Sequence, residues 1–355
     1  MQRTIPSRRD LLVTSGALGI AGLFPRGALA APPAPTRITP ELIEAAKKEG
    51  KAVWYNAMEI TVAEKLIKVF EAKYPGISVR NERSGSERIF QRLAQERGSN
   101  IFACDIVNSA DAAHFIVWKR EGWLEPMVPA DVAEHYPAAE KDLDGTYATM
   151  RAYLGVIAYN TKMVKPEDAP KGWKDLLDPK WSGKMVKSHP AYSGTTMNMT
   201  FQLAREFGWE YFEKLAQQKV MQVQSSTDPP KKVALGERAI MADGGDYLVR
   251  LFKEKGDPIE LVYPVEGAPY ISAPNAMLKN APNPNAGRLL QCWLFSQEGQ
   301  QAFVEISGQY SLHAKVTPKA GTPPLRSLKL LKEDPAGVER SAEEIKAKYV
   351  SYFKV

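Results

Sequence analysis

VWYNAMEITVAEKLIKVFEAKYPGISV, residues 53–79, contains the strand–helix–strand pattern that decides the fold class. The apolar run at 52–55 predicts a short strand, and residues 61–73 place apolar side chains at helical spacing. A turn at Tyr74-Pro75-Gly76 follows, and Ile77-Ser78-Val79 opens the next strand. A strand, a helix and a strand joined by short connections are typical of an α/β sheet covered by helices.

The same alternation continues on both sides of this stretch. Upstream, Pro40 starts a helix that Gly50 ends, and downstream a helix follows Ser84-Gly85-Ser86. Further strands are predicted at 104–108, 155–159, 184–187, 238–242 and over about 259–278, and further helices at about 110–121, 195–207, 209–217 and 285–304. No repeat of fixed period is visible. The pattern predicts two α/β lobes with more than one crossover and a ligand cleft between them.

Residues 1–30 have the pattern of a secretory signal peptide. Ser7-Arg8-Arg9-Asp10-Leu11-Leu12 resembles a twin-arginine export signal, and Ala28-Leu29-Ala30 predicts cleavage before Ala31. The apolar segment 11–24 is too short to span a bilayer, which takes about 20 residues. A short anchor or a buried helix is the alternative. We therefore expect a periplasmic protein that begins with a Pro-rich linker at 31–39.

Composition and charge narrow the class of protein. With 44% hydrophobic and 25% charged residues, the chain has globular composition, which excludes a disordered protein. The net charge is +6, but the first 30 residues contribute four arginines and one aspartate, so the remainder carries +3. No block of like charges occurs, so no nucleic-acid partner is expected. Cys104 and Cys292 are predicted to be buried thiols, with a disulfide bridge as the alternative.

Four segments carry a family resemblance. GWKDLLDPKWSGKM (172–185) resembles a characteristic segment of family 1 extracellular solute-binding proteins of ABC importers. Residues 53–79 resemble the first strand, loop and helix of that family. SGTTMN (193–198) is similar to a loop that enters a helix of the second lobe, and residues 274–303 are similar to the closing segment. The similarity runs over about residues 40–315, and the nearest subgroup is the binders of ferric iron and small anions.

This resemblance implies the periplasmic-binding-protein fold of type 2, an α/β fold with two lobes. Each lobe is a mixed sheet flanked by helices, and the lobes close over a small solute before docking on the ABC permease. On this basis we predict lobe 1 at 40–148 with about 260–315, lobe 2 at 149–259, and a C-terminal helical extension at 316–355. A monomer is expected.

The candidate ligand site consists of loops that follow strands or begin helices, where free backbone N–H groups and the helix dipole favour anions. A plain N-cap role is the alternative for the serines and threonines. The candidate residues in these loops are Asn56, Glu59, Ser84, Gly85, Ser86, Ser109, Ser193, Gly194, Thr195 and Thr196.

Three further side chains are candidates for the site. Arg151, predicted to precede a hinge strand, is suited to clamp a carboxylate, phosphate or phosphonate, with an ion pair as the alternative. Asp246 is suited to bind an amine on a zwitterionic ligand, with a helix N-cap as the alternative. Tyr247 is its neighbour. A small organic anion or zwitterion is the predicted solute.

Ferric iron is the alternative solute. The resemblance implies that iron-binding relatives hold the ion with adjacent tyrosines, a histidine and a glutamate. This chain has Asp246-Tyr247 at the tyrosine pair, Glu59 near the histidine and Ala110 near the glutamate, so only Tyr247 is unchanged. Glu59, Asp246 and Tyr247 are the candidate ligands if iron is bound, because oxygen donors suit this hard ion.

An enzyme is not expected. The sequence has no G-x-S-x-G, no Walker loop and no G-x-G-x-x-G, and its four histidines, His114, His135, His189 and His313, show no metal-binding spacing. We predict no catalytic residue and no resident cofactor. An exported enzyme on the same fold and a binding protein that serves a sensor remain the alternatives from other classes.

Overall fold

The computed structural model describes residues 33–355, so the predicted signal peptide lies outside the described residues. The strands are β1 (Lys51–Asn56), β2 (Ser78–Arg83), β3 (Ile106–Asn108), β4 (Ala148–Asn160), β5 (Met185–Ser188), β6 (Met221–Val223), β7 (Ile240–Gly245), β8 (Ile259–Val262), β9 (Ala268–Met277) and β10 (Leu330–Leu331). The α-helices are α1 (Pro40–Glu49), α2 (Ile60–Lys73), α3 (Ser86–Gly98), α4 (Ala113–Arg120), α5 (Ala130–His135), α6 (Gly194–Phe207), α7 (Trp209–Gln217), α8 (Asp228–Ala234), α9 (Asp246–Glu254), α10 (Pro284–Phe295), α11 (Gln297–Ser307) and α12 (Pro335–Phe353).

The sheet consists of two parallel groups joined by an antiparallel pair. Its order is β2-β1-β3-β9-β4-β7-β5-β6. Strands β2, β1 and β3 run parallel and form the β1 group, and β7, β5 and β6 run parallel and form the β5 group. The antiparallel strands β9 and β4 lie between the groups. The carboxyl ends of each parallel group therefore share one edge, where α/β folds bind ligands.

Strand β4 is the longest strand and connects the two groups. All 13 of its residues are buried, as expected for a central strand covered on both faces. Its first part, from Ala148 to Leu154, pairs with β9, and its second part, from Gly155 to Asn160, pairs with β7 and β8. A register shift separates Thr149 from Arg151.

Separate hydrophobic clusters pack on the two groups. Trp54, Phe70 and Trp293 belong to a cluster between the β1 group and its helices, and Trp173 and Phe212 belong to another beside the β5 group. The described residues, 33–355, nevertheless form one compact unit. The lobe boundaries given above therefore stay predictions.

The predicted helix at 285–304 is wrong as a single element, because the chain forms α10 and α11 with a break at Ser296. Ser296 is extended (φ −68°, ψ 157°), and its hydroxyl caps α11 by accepting a hydrogen bond from the N–H of Gly299. A Cβ at Gly299 would lie 2.0 Å from the carbonyl oxygen of Trp293. Only glycine allows this close approach. The sequence does not reveal the break, because it shows only a serine within an apolar run.

The sequence did not predict strand β6 or helix α8, because three residues and seven residues are too short to show a clear hydrophobic period.

The predicted linker is attached to the rest of the protein, because Thr36 pairs with the chain at Val128–Ala130. Cys104 and Cys292 are free, buried thiols, and burial raises the pKa of Cys292 to about 12. No helix within residues 33–355 is long and apolar enough to cross a membrane.

Candidate functional site

The N-terminus of α3, at the edge of the β1 group, has no side-chain cap. Its N-cap is Gly85, which has no side chain to accept from the first N–H groups of the helix. The Ser86 hydroxyl instead accepts from the N–H of Ala110, at 3.1 Å. The N–H of Ser84 donates to the Asn56 carbonyl. The alternative of a plain serine cap therefore does not apply here, and α3 offers free donors to an anion.

The N-terminus of α6 differs, because Ser193 is its N-cap and accepts from the N–H of Thr196, at 3.2 Å. The alternative of a plain cap therefore applies to the Ser193 hydroxyl. The Thr196 hydroxyl bonds to that of Ser188, and the Thr195 hydroxyl bonds to the Tyr153 phenol at 2.6 Å. The other backbone N–H groups in the first turn of α6 have no side-chain partner among the described residues.

The first turns of α3 and α6 touch each other at Gly194. A Cβ built on Gly194 would lie 2.7 Å from the Asp111 Cβ and 2.9 Å from the Ser86 Cβ. These residues belong to the two different strand groups. The structure therefore brings the predicted residues Ser86 and Gly194 together, with both helix N-termini at one place.

Arg151 lies within β4, which corrects the prediction that it precedes the strand. Its side chain is only 1% exposed. Nη1 donates to Gln309 Oε1 at 2.9 Å and Nη2 donates to Asn108 Oδ1 at 3.1 Å, whereas Nε has no hydrogen-bond partner among the described residues. No carboxylate of residues 33–355 pairs with it. The predicted ion-pair alternative is therefore wrong.

Two phenols lie beside this guanidinium. The rings of Tyr153 and Tyr247 meet edge to face with centroids 5.2 Å apart, and the Arg151 guanidinium lies 5.4 Å from the Tyr153 ring centroid. Burial raises the pKa of Tyr247 and of Tyr153, although the charge of Arg151 partly opposes this. Both phenols are therefore protonated at neutral pH and suited to donate hydrogen bonds to an oxyanion.

The predicted carboxylates Asp246 and Glu59 already bind groups of the protein itself. Asp246 Oδ1 accepts from the N–H groups of Leu154 and Tyr247, and Oδ2 pairs with Arg250 at 2.7 Å. Glu59 caps α2 by accepting from the Val62 N–H at 2.9 Å. Gly245, not Asp246, is the N-cap of α9, so the predicted cap role of Asp246 is wrong. Their membership of a ligand site stays a prediction.

Asn56 and Ser109 shape the loops that carry them. Asn56 Oδ1 accepts from the Met58 N–H, and its Nδ2 donates to Asn81 at 2.6 Å. The Ser109 hydroxyl accepts from the Asp111 N–H and bonds to His114 Nδ1 at 2.9 Å. Both side chains close turns at the carboxyl ends of β1 and β3.

A group of titratable side chains, three of them buried, lies at the two helix N-termini. His114 Nε2 contacts Glu87 at 3.0 Å and Asp111 at 3.7 Å, and Lys346 of α12 contacts Glu87 at 3.2 Å. Burial alone lowers the pKa of His114, but the carboxylates of Asp111 and Glu87 raise it overall. The scattered histidines of the sequence thus include one that sits in a compact ion-pair cluster.

A second histidine cluster, with His313 buried and Asp131 and His135 half-buried, lies between α5 and the chain after α11. Donor atoms of Asp131, His135 and His313 lie within 4.8 Å of one another. His313 Nδ1 accepts from the Lys315 N–H, and Nε2 contacts Asp131 at 2.9 Å. This tautomer places a proton on Nε2, the nitrogen that faces Asp131, so the arrangement is a hydrogen-bonded pair.

Sequence reasoning missed three side chains of the site, namely Arg83, Tyr153 and Gln309. Arg83 donates to the Met58 carbonyl and to the Ser225 hydroxyl, at 3.2 and 3.3 Å, and so joins loops of the two strand groups. Its position at the end of β2, just before Ser84, is a signal that was available. Gln309 lies far along the chain, and no local pattern marks it.

Glu333 provides a pH-dependent test of the packing against β9 at Ser272. Its carboxyl group accepts from the Ser272 N–H at 3.0 Å, and burial raises the pKa of that group to about 8. The folded state therefore holds a proton that an unfolded chain loses near pH ~4.3, so this contribution to stability is lost as pH rises towards 8. We expect the melting temperature of Glu333→Gln to fall less between about pH 5 and 8.5 than that of wild type. Parallel curves would contradict the assignment.

Comparison with known proteins gives one family and several relatives. The family model for bacterial extracellular solute-binding proteins matches residues 55–301. A putative 2-aminoethylphosphonate-binding periplasmic protein of Salmonella typhimurium is 27% identical over 259 residues, which are 69% of this chain and 73% of that protein.

Solved structures share the fold at low identity. The periplasmic binding protein AfuA from Actinobacillus pleuropneumoniae, with fructose-6-phosphate bound, superimposes with a TM-score of 0.79 and 24% identity, over 86% of this chain and 99% of that one. Iron-bound HitA from Pseudomonas aeruginosa has a TM-score of 0.72 and 23% identity, over 84% and 99%. Proteins with an organic phosphate and with iron therefore have the same architecture as this chain.

Proposed function

This chain belongs to the bacterial extracellular solute-binding protein family, and we propose that it captures a small organic phosphate or phosphonate for delivery to an ABC permease. The predicted α/β fold of the two-lobe periplasmic binding proteins is confirmed by the likeness to AfuA. Its family binds substrates and does not transform them. A periplasmic location after twin-arginine export, cleavage before Ala31 and a monomeric state are parts of the same proposal.

The observation that carries this proposal is the buried, unpaired charge of Arg151. A charge buried without a counter-ion costs roughly several kcal/mol, so a bound anion that supplies the missing charge gains correspondingly. Free N–H groups at the starts of α3 and α6 and the phenols of Tyr153 and Tyr247 supply further donors. A tetrahedral oxyanion has enough acceptor oxygens for donors that arrive from several directions.

Binding measurements on the purified protein test this proposal. Titration calorimetry and native mass spectrometry would use 2-aminoethylphosphonate, fructose-6-phosphate, inorganic phosphate and ferric citrate as probes, with metal analysis of the protein as purified. We expect a one-to-one complex with at least one phosphonate or phosphate. Binding of ferric iron alone, or of no anion, would refute the proposal. Turnover of a bound probe would favour the enzyme alternative.

Ferric iron is the second candidate because two phenols lie side by side at Tyr153 and Tyr247. Two features of the site oppose it. The pKa of both phenols is raised by burial, so neither is poised to become a phenolate, and the adjacent Arg151 repels a trivalent cation. Of the three predicted iron ligands, Asp246 and Glu59 already hold other partners.

Tyr247→Phe tests the phenol that both candidate functions use. A hydrogen bond to a charged ligand is worth about 1.5–3 kcal/mol, so we expect anion affinity to fall more than tenfold while the ring keeps its packing. Titration calorimetry measures the affinity, and the melting temperature checks the fold. Tyr159→Phe is the matched control, because Tyr159 lies at the far end of β4 in the cluster with Trp173. Equal affinity of wild type and Tyr247→Phe would remove Tyr247 from the site.

A further inference from the structure

Two other cations with little solvent exposure, Lys187 and Arg250, have carboxylate partners. Lys187, which is 1% exposed, pairs with Asp243 at 3.1 Å, and Arg250 pairs with Asp246 at 2.7 Å. Arg151 is as buried as Lys187, but its two hydrogen-bond partners are carboxamide oxygens, from Asn108 and Gln309. A carboxamide orients a guanidinium without neutralising it, whereas a carboxylate does both.

The backbone positions both residues, at Asn108 through its carboxamide and at Gln309 through the neighbouring main chain. Asn108 Nδ2 donates to the carbonyls of Ala273 and Pro274, at 3.3 and 2.7 Å, so its oxygen faces Arg151. Gln309 precedes Tyr310, whose backbone exchanges two hydrogen bonds with Ala152, the neighbour of Arg151 in β4. The contact between Gln309 and Arg151 therefore follows from the way the chain after α11 lies along β4.

We infer that Asn108 and Gln309 determine the charge selectivity of the ligand site, because they position Arg151 while leaving its charge for an anionic solute. They are positioning residues that act through Arg151. This inference rests on the proposed function. It predicts that a negative charge at either position would satisfy Arg151 internally and remove the reason for an anion to bind.

Gln309 offers the cleaner test of the two. Its Nε2 has no hydrogen-bond partner among the described residues, so exchanging this nitrogen for an oxygen breaks no bond. At Asn108 the same change would place a carboxylate oxygen against two carbonyl oxygens. Gln309→Glu therefore changes charge at constant shape, and Gln309→Leu removes the hydrogen bond without adding charge.

Gln309→Glu and Gln309→Leu distinguish an effect of the added charge from an effect of the lost hydrogen bond. For Gln309→Glu we expect the affinity for the phosphonate or phosphate that binds wild type to fall by about tenfold or more, and the melting temperature without ligand to rise by about 3 °C. For Gln309→Leu we expect a smaller loss of affinity than for Gln309→Glu, because Asn108 still orients Arg151 and no charge is added, and no rise in melting temperature. Lower pH should restore binding to Gln309→Glu, because protonation removes the introduced charge.

Two outcomes would overturn the inference, and a third would refute the proposed function instead. Equal losses of affinity in Gln309→Glu and Gln309→Leu would show a structural role and overturn the inference. A lower melting temperature of ligand-free Gln309→Glu would show that Arg151 does not carry an uncompensated charge, and would overturn it as well. If wild type binds no anion, the proposed function fails, and the ligand-free melting temperatures still decide whether the carboxamides leave Arg151 unneutralised.

Discussion

Arg151→Met is expected to weaken anion binding more than hundredfold while making the ligand-free protein more stable. The variant removes a charge-assisted contact, for which a loss of about 3 kcal/mol is typical. It also removes a buried charge that has no carboxylate partner in residues 33–355, and replacing buried charges by apolar side chains of similar size often stabilises a protein by about 1–4 kcal/mol. Titration calorimetry and thermal unfolding measure the two effects on one preparation.

Arg250→Met is the matched comparison for that variant. Arg250 is also a largely buried arginine, but it pairs with Asp246 at 2.7 Å and donates to the Gly308 carbonyl. The same substitution there leaves an unpaired buried carboxylate, so we expect a lower melting temperature. If both variants lowered the melting temperature, or if Arg151→Met bound the anion as tightly as wild type, Arg151 would not be an unpaired charge that serves the ligand.

Gly194→Ala is expected to separate the N-termini of α3 and α6. Its Cβ would lie 2.7 Å from the Asp111 Cβ and 2.9 Å from the Ser86 Cβ, well inside the usual contact distance, so the two first turns must move apart. Hydrogen bonds weaken steeply with added distance, so the two turns would no longer reach one anion together. We expect affinity to fall by about tenfold or more.

Small-angle scattering adds a readout for the shape of that variant. At saturating ligand, Gly194→Ala should keep a larger radius of gyration than wild type, because the ligand favours the closed state only through contacts with both sides. Gly98→Ala is the control, since a Cβ at Gly98 meets nothing within 4 Å. Wild-type affinity and radius in Gly194→Ala would contradict a site formed by both helix starts.

Parts of the site were accessible from the sequence because they depend on short stretches. Ser84-Gly85-Ser86 and Ser193-Gly194-Thr195 follow strands and precede amphipathic helices, so their place at the edge of a parallel sheet follows from alternation alone. Whether a serine there caps the helix is a different question. Ser193 caps α6 while Ser86 turns its hydroxyl to Ala110, and that choice depends on the loop after β3.

Other parts depend on pairings across long stretches of sequence. In the sequence, Asp246 and Arg151 are both candidate ligands. In the structure, Asp246 pairs with Arg250 one helical turn away. The hydrogen bonds of Arg151 instead go to two carboxamides, one of them 158 residues later in the chain. The break between α10 and α11 likewise follows from the approach of Gly299 to the Trp293 carbonyl, which no periodicity encodes.

The amino-acid sequence by itself determined the α/β class, the order of most elements and the loops at the carboxyl ends of the parallel strands, because hydrophobic period and turn residues act over a few neighbours. Only the tertiary structure decided which charges remain without a partner. Charge balance in a buried site is set by groups that folding brings within a few ångströms, whatever their separation along the chain. In this protein the charge without a carboxylate partner is that of Arg151, which donates hydrogen bonds to Asn108 and Gln309.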